Sequence, residues 1–161
     1  MTLAYVGLGS NLDDPQHQIN VAIAALDELH STRLSRHSSV YRSAPCGLID
    51  QPDFMNAVAE LETDLDAASL LANLLELERR LGRRRDGPRW GPRRIDLDLL
   101  AYGDETSLSD GLQLPHPRIG ERAFVLMPLA ELVPDLELVG IGVIKDLLRD
   151  IDTRHCMRIR D

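Results

Sequence analysis

Lysine is almost missing from this 161-residue chain, in which 17 of the 18 basic residues are arginine. Cysteine is nearly as scarce. Cys46 and Cys156 show no CxxC spacing and are too few for a disulfide framework, so two free thiols in a reducing cytosol are expected. No apolar run is long enough to span a bilayer, and the opening Met1–Val6 has no basic n-region. Neither a membrane segment nor a secretory signal is expected, and the reading is cytoplasmic. The net charge of −8 argues against a general nucleic-acid binder, whose affinity rests on neutralising phosphates. No G-x-x-x-x-G-K-[ST] loop and no protein-kinase motif set occurs, and Gly7, Gly9 and Ser10 are spaced poorly for a dinucleotide fingerprint.

The apolar fraction of 43% and charged fraction of 27% are those of an ordinary globular protein. The whole chain, 1–161, fits one domain that buries roughly 70% of its unfolded surface. Residues 2–8 read as a buried strand ended by a Gly9-Ser10-Asn11 turn. Asp14-Pro15 starts a helix whose apolar positions recur from Ile19 to Leu29 and end near His30. Residues 32–43 read as a polar edge strand, 44–52 as an irregular loop, and 53–62 as a third strand. Asp66 caps a second helix that Gly82 closes. The stretch 83–94 is a loop, and 95–102 a fourth strand. This β-α-β-β-α-β order predicts an α+β, ferredoxin-like sandwich with both helices on one sheet face. An extended piece at 112–117 and helices near 128–133 and 143–151 follow.

Alternation along the fourth strand puts Ile95, Leu97 and Leu99 on the helix side and Asp96 and Asp98 on the other, open face. Strand rise sets the two aspartate α-carbons roughly 6.5 Å apart. Carboxylates converging to about 5 Å repel by about 3 kcal/mol at an effective dielectric near 20, a cost that a bound divalent cation removes. Hard oxygen ligands suit Mg²⁺. By itself such a D-x-D also fits an exposed edge strand. On the third strand Phe54 and Asn56 share the aspartates' face, an aromatic and an amide suited to a flat heterocycle. Eight arginines fall between Arg79 and Arg94, just ahead of Asp96, and arginine forks match phosphate geometry. His116, held between Pro115 and Pro117, can donate to a phosphate oxygen. Together these residues describe phosphoryl-type transfer from a nucleotide.

The run Arg89-Trp90-Gly91-Pro92-Arg93-Arg94-Ile95-Asp96-Leu97-Asp98-Leu99-Leu100 resembles the signature of the 6-hydroxymethyl-7,8-dihydropterin pyrophosphokinase family. Tyr5–Leu12, Asp50–Asn56, the Glu78…Gly82-Arg83 spacing and Leu114–Pro117 match in order. The resemblance implies transfer of the β,γ-diphosphate of ATP to the pterin hydroxymethyl oxygen, releasing AMP. It also implies that Asp96 and Asp98 hold two Mg²⁺ ions. Arg83, Arg93, His116 and Arg122 resemble the phosphate-binding and charge-stabilising groups, and Arg85 and Trp90 lie in the loop that closes over the substrates. Phe54 and Phe124 look like the rings that sandwich the pterin, with Asn56 and the backbone of Ser43, Ala44 and Cys46 reading its edge. Glu78 and Leu99 fall where the family contacts the nucleoside. Leu75 replaces a polar group near the adenine, and Gly111 and Gln113 stand where the pattern has basic or small polar residues. The partners implied are small molecules only, ATP and 6-hydroxymethyl-7,8-dihydropterin, and a monomer is expected. A single-stranded RNA module would need aromatic platforms and a basic sheet face, whereas aromatics are 4% here and the face carries aspartates. A Mg²⁺-dependent nuclease is the other alternative that the D-x-D alone allows.

Overall fold

The computed structural model describes residues 1–45, 50–82, 94–109 and 111–159. The chain first runs through strand β1 (Thr2–Ser10), helix α1 (Pro15–Leu26), strands β2 (Thr32–His37), β3 (Tyr41–Ser43) and β4 (Phe54–Thr63), helix α2 (Ala67–Arg80) and strand β5 (Asp96–Tyr102). These form an antiparallel sheet in the order β3-β4-β1-β5, with β2 also paired to β4. That is the ferredoxin-like arrangement the sequence predicts.

Local chemistry explains the boundaries. Asp66 accepts from the Ser69 N–H at 2.7 Å and so caps α2, and Gly82 leaves it at a φ of 94°. Helix α1 stops at Leu26 rather than near His30, because Asp27 turns outward to accept the Leu34 N–H at 2.9 Å and Ser31 takes a left-handed φ of 52°. Asp14 stands at the N-cap, but its side chain makes no capping bond. The expected strand 32–43 is broken at Ser38, which is buried. Its hydroxyl accepts the Val58 N–H at 2.9 Å and its own N–H reaches the Val58 carbonyl at 2.8 Å, so one residue takes the place of a strand pair.

After β5 come a hairpin of β6 (Ser107–Ser109) and β7 (Leu112–Leu114), a 3₁₀ turn at Ile119–Glu121 and helix α3 (Ala123–Leu132). A two-stranded ribbon of β8 (Glu137–Leu138) and β9 (Gly142–Val143), helix α4 (Ile144–Arg149) and strand β10 (Cys156–Arg158) complete the described chain. Helix α3 begins five residues before its predicted start, Pro128 lying inside it rather than opening it. Strand β10 pairs with β3, so 41–43 is an inner strand and not the sheet's edge.

Two cores flank the sheet. On one face Val6, Leu8, Ala57, Leu61, Leu97 and Leu99 pack under Ile19, Ile23, Leu70 and Leu74 of the two helices. The other face is not open, as the sequence reading has it. Tyr5, Val58, Leu100 and Ala101 are buried there under Ile119, Val125, Leu126 and Leu129. A bulge makes this possible. Tyr5 faces Ala101 while Val6 faces Leu99, so Leu100 is the extra residue, and both Leu100 and Ala101 join that second core. The uncovered end of this face is where Asp96, Asp98, Asn56 and Phe54 lie.

Glu131 ties α3 down. Its carboxylate accepts from the Tyr41 hydroxyl at 2.8 Å and the Ser39 N–H at 2.9 Å, and burial, followed by the hydrogen bond and charge of Glu131, pushes the Tyr41 hydroxyl pKa up. Glu131→Ala strips both donors of their acceptor. Such a loss costs about 2 kcal/mol, to be read as a lowered urea midpoint; an unchanged midpoint would show the anchor to be idle.

Candidate active site

Strand register builds the site. In β1 the cleft-facing residues Gly7 and Gly9 pair with Asp98 and Asp96 of β5 on one side, and with Val58 and Asn56 of β4 on the other. Two rows therefore cross the sheet, Asn56–Gly9–Asp96 and Val58–Gly7–Asp98. With no side chains on the middle strand, the floor between the amide and the carboxylates is bare backbone. The sequence reading places Gly9 in a turn. In the structure β1 continues through Gly9 to Ser10, whose hydroxyl donates to the Arg94 carbonyl at the entry to β5.

Two clefts meet over this floor. The first, about 440 Å³, is lined by Gly7, Gly9, Ser43, Phe54, Asn56 and Phe124 among others. The second, about 380 Å³, is lined by Leu71, Leu75, Leu99, Gln113 and His116. Asp96, Asp98 and Arg122 border both. Whatever is exchanged between molecules in the two clefts passes these three side chains.

The first cleft suits a flat polar ring. Phe54 enters from β4 and Phe124 from the first turn of α3, so two aromatic faces come from different layers. Asn56 is 4% exposed and donates to the Ser43 hydroxyl at 2.7 Å, which fixes its amide. The Ala44 N–H is taken by the His155 carbonyl at 3.0 Å, which removes it from the groups that read a ligand's edge. The Arg122 guanidinium lies 5.5 Å from the centroid of Phe124, within cation–π range.

The second cleft offers His116 beside Arg122. Burial first, then the charges of Arg122 and Arg118, hold the His116 imidazole below its ordinary pKa, so it is neutral near pH 7. Its Nδ1 accepts the Arg118 N–H at 3.3 Å, which leaves the ring proton on Nε2 as a donor. The His116 N–H bonds the Leu100 carbonyl at 2.8 Å and so docks this turn onto the edge of β5.

Glu78, for which the family pattern implies nucleoside contact, sits beneath strand β5. It is 1% exposed and lines neither cleft; its carboxylate accepts the Leu97 N–H at 2.7 Å. It braces the stretch of β5 between the two aspartates from beneath. Leu99 borders the second cleft while its side chain packs in the helix-side core. Leu75, Gly111 and Gln113 do border the second cleft. Arg83, Arg85, Trp90, Arg93 and Cys46 lie outside the described residues.

The sequence gives no warning of Asp152, His155 and Cys156, which line the first cleft from β10 and the turn before it. A three-residue strand carries no readable period. Cys156 is a free, buried thiol whose pKa burial pushes up to about 11. Gly7 and Gly9, by contrast, were detectable, since Y-x-G-x-G alternates in register with the strand.

Among the described residues no group of three or more His, Cys, Asp or Glu side chains forms a metal cage. The aspartate pair, half-buried where both clefts meet, fits instead an ion that takes one or two carboxylates and completes its shell with phosphates, as Mg²⁺ does. No described helix is long and apolar enough to cross a membrane.

The family model of 7,8-dihydro-6-hydroxymethylpterin-pyrophosphokinase (HPPK) matches residues 5–134. The 2-amino-4-hydroxy-6-hydroxymethyldihydropteridine pyrophosphokinase of Haemophilus influenzae is 43% identical over 159 residues, 99% of each chain. That of Pseudomonas aeruginosa is 48% identical over 134 residues, covering 83% of this chain and 82% of the relative. Among solved structures, wild-type HPPK-DHPS of Plasmodium falciparum with SDX-DHP superposes with a TM-score of 0.74 at 15% identity, which shows a shared fold. That match covers 100% of this chain and 48% of the larger one, so the chain spans about half the length of the solved protein. With its fold, its D-x-D strand and its similarity over nearly the full length of a curated relative, the chain belongs to the HPPK family.

Proposed function

We propose that this chain transfers the β,γ-diphosphate of ATP to the hydroxymethyl oxygen of 6-hydroxymethyl-7,8-dihydropterin, a step of folate biosynthesis, acting as a single-domain cytoplasmic monomer. The observation that carries this reading is the meeting of two differently built clefts at Asp96, Asp98 and Arg122. The ring-and-amide cleft takes the pterin, between Phe54 and Phe124 with Asn56 on its edge. The second cleft takes the nucleotide, with Leu71 and Leu75 offering apolar contact to the base.

The new bond forms between the acceptor oxygen and the β-phosphorus. The bond from that phosphorus to the α,β-bridging oxygen breaks, AMP leaves with the electron pair, and the hydroxyl proton goes to solvent or to the product phosphate. Asp96 and Asp98 would hold Mg²⁺, two ions on the family's pattern, which when bound supplies charge neutralisation along the triphosphate. Arg122 and the Nε2–H of His116 stand ready for phosphate oxygens, and Arg83 and Arg93 are assigned the same task from the sequence. Positioning and charge stabilisation supply the catalysis, so no general base is required.

Incubation with Mg²⁺-ATP and the reduced hydroxymethylpterin should yield AMP and pterin diphosphate in equal amounts, read by chromatography. Stoichiometric ADP would overturn the reading in favour of single phosphoryl transfer.

A further inference from the structure

Gly9 sits at the centre of the site, and its backbone gives no reason for glycine. Its φ lies outside the left-handed region, and it is paired in register on both sides, to Asn56 and to Asp96. Glycine inside a strand sacrifices packing and raises the entropy lost on folding. A strand glycine without special dihedrals is therefore explained by space. A Cβ built at Gly9 would lie 3.3 Å from Asn56 Oδ1, close enough to displace an amide that Ser43 already fixes. At Gly7 the same atom would make only ordinary contact with Leu100, at 3.5 Å.

The register adds a direction. Adjacent strands lie about 4.8 Å apart, so the α-carbons of Asn56 and Asp96 are about 10 Å apart with Gly9 midway. On the function proposed above, upon which this inference rests, the heterocycle is held at Asn56 and the diphosphate at Asp96. The arm that carries the acceptor hydroxyl must then cross β1 over Gly9. We infer that Gly9 is a positioning residue for the transfer. Its missing side chain is the passage through which the acceptor oxygen reaches the phosphorus, at a height above the strand that only a hydrogen permits. Gly7, one row further in, borders the floor but not this passage.

The test is Gly9→Ala, assayed with Mg²⁺-ATP and 6-hydroxymethyl-7,8-dihydropterin. Lifting the arm by about a methyl group should lower acceptor kcat/KM at least about 30-fold, with the loss falling on kcat more than on KM. Affinity for an unreactive Mg²⁺-ATP analogue should stay within about twofold, because the added methyl lies over β1 on the Asn56 side and not in the second cleft. Gly7→Ala should cost less than Gly9→Ala. Should the single variant fail to fold, Gly9→Ala is compared with glycine in an Asn56→Ala background, where the close contact is gone. A further loss of at least about tenfold there supports the passage, since room for Asn56 is no longer at issue. Wild-type kcat/KM in Gly9→Ala, an equal loss of nucleotide affinity, or no further loss in the Asn56→Ala background would each overturn the inference. If the unmodified protein makes no AMP, the proposed function falls and takes this inference with it. Normal turnover beside an indifferent Gly9→Ala sinks the inference alone.

Discussion

Replacing Asp96 or Asp98 with alanine is expected to lower turnover by at least about a thousandfold, or about 4 kcal/mol of transition-state stabilisation, without lowering the melting temperature. Both side chains border both clefts, and neither belongs to a hydrophobic core. They are two positions apart in sequence, on the same face of the edge strand β5. Both are half-buried where the clefts meet, so cutting either back to its β-carbon opens no cavity in the packed layers. Two thermal melts separate function from structure. Mg²⁺ with an unreactive ATP analogue should raise the melting temperature of the unmodified protein and do so far less for either variant. A variant that melts far below the unmodified protein while keeping its turnover would make the aspartates structural and leave the metal site without its ligands.

How much of this was legible beforehand differs from element to element. The D-x-D strand could be read because its period is two and its apolar partners, Leu97 and Leu99, leave no choice of face. Helix α2 could be read because Asp66 and Gly82 punctuate it chemically. The second core could not. It depends on a bulge at Leu100, invisible in an apolar run, and on α3, whose internal Pro128 reads as a start signal. Its consequence is functional, since α3 brings Phe124 over the sheet and converts a platform into a cleft. Residue similarity found Phe124 and Arg122, whereas periodicity alone could not have done so. Glu78 shows what similarity alone leaves out. Its place in the family pattern suggests contact with a ligand, and the structure adds a role the pattern does not carry, since its buried carboxylate accepts the outward Leu97 N–H of the edge strand. The first cleft's wall at Asp152, His155 and Cys156 arises from pairing between β10 and β3, residues far apart in sequence and short in run.

Arg122→Ala is expected to lower kcat/KM by about 10²- to 10³-fold, the usual effect of deleting one preorganised charge donor from a transfer site. Arg122 stands at the N-cap of α3, and its carbonyl accepts the Val125 and Leu126 N–H groups at 3.0 and 2.9 Å, so its backbone is fixed by the helix it opens. Its side chain borders both clefts and lies over the Phe124 ring, which puts one cation beside the aromatic cleft and the second cleft together. Losing it should therefore weaken acceptor binding as well as turnover. Arg122→Lys should recover only part of the activity, because a point charge lacks the planar fork that grips phosphate and stacks on the ring. A second readout does not depend on activity. Arg122 is one of the charges that hold the His116 pKa down, so its removal from the metal-free protein favours the imidazolium and moves that pKa upward, toward the ordinary histidine value. An NMR titration of His116 reads the shift. An Arg122→Ala protein with near-normal kcat/KM and an unmoved His116 would place this guanidinium outside the site, and the two clefts would then share the aspartates alone.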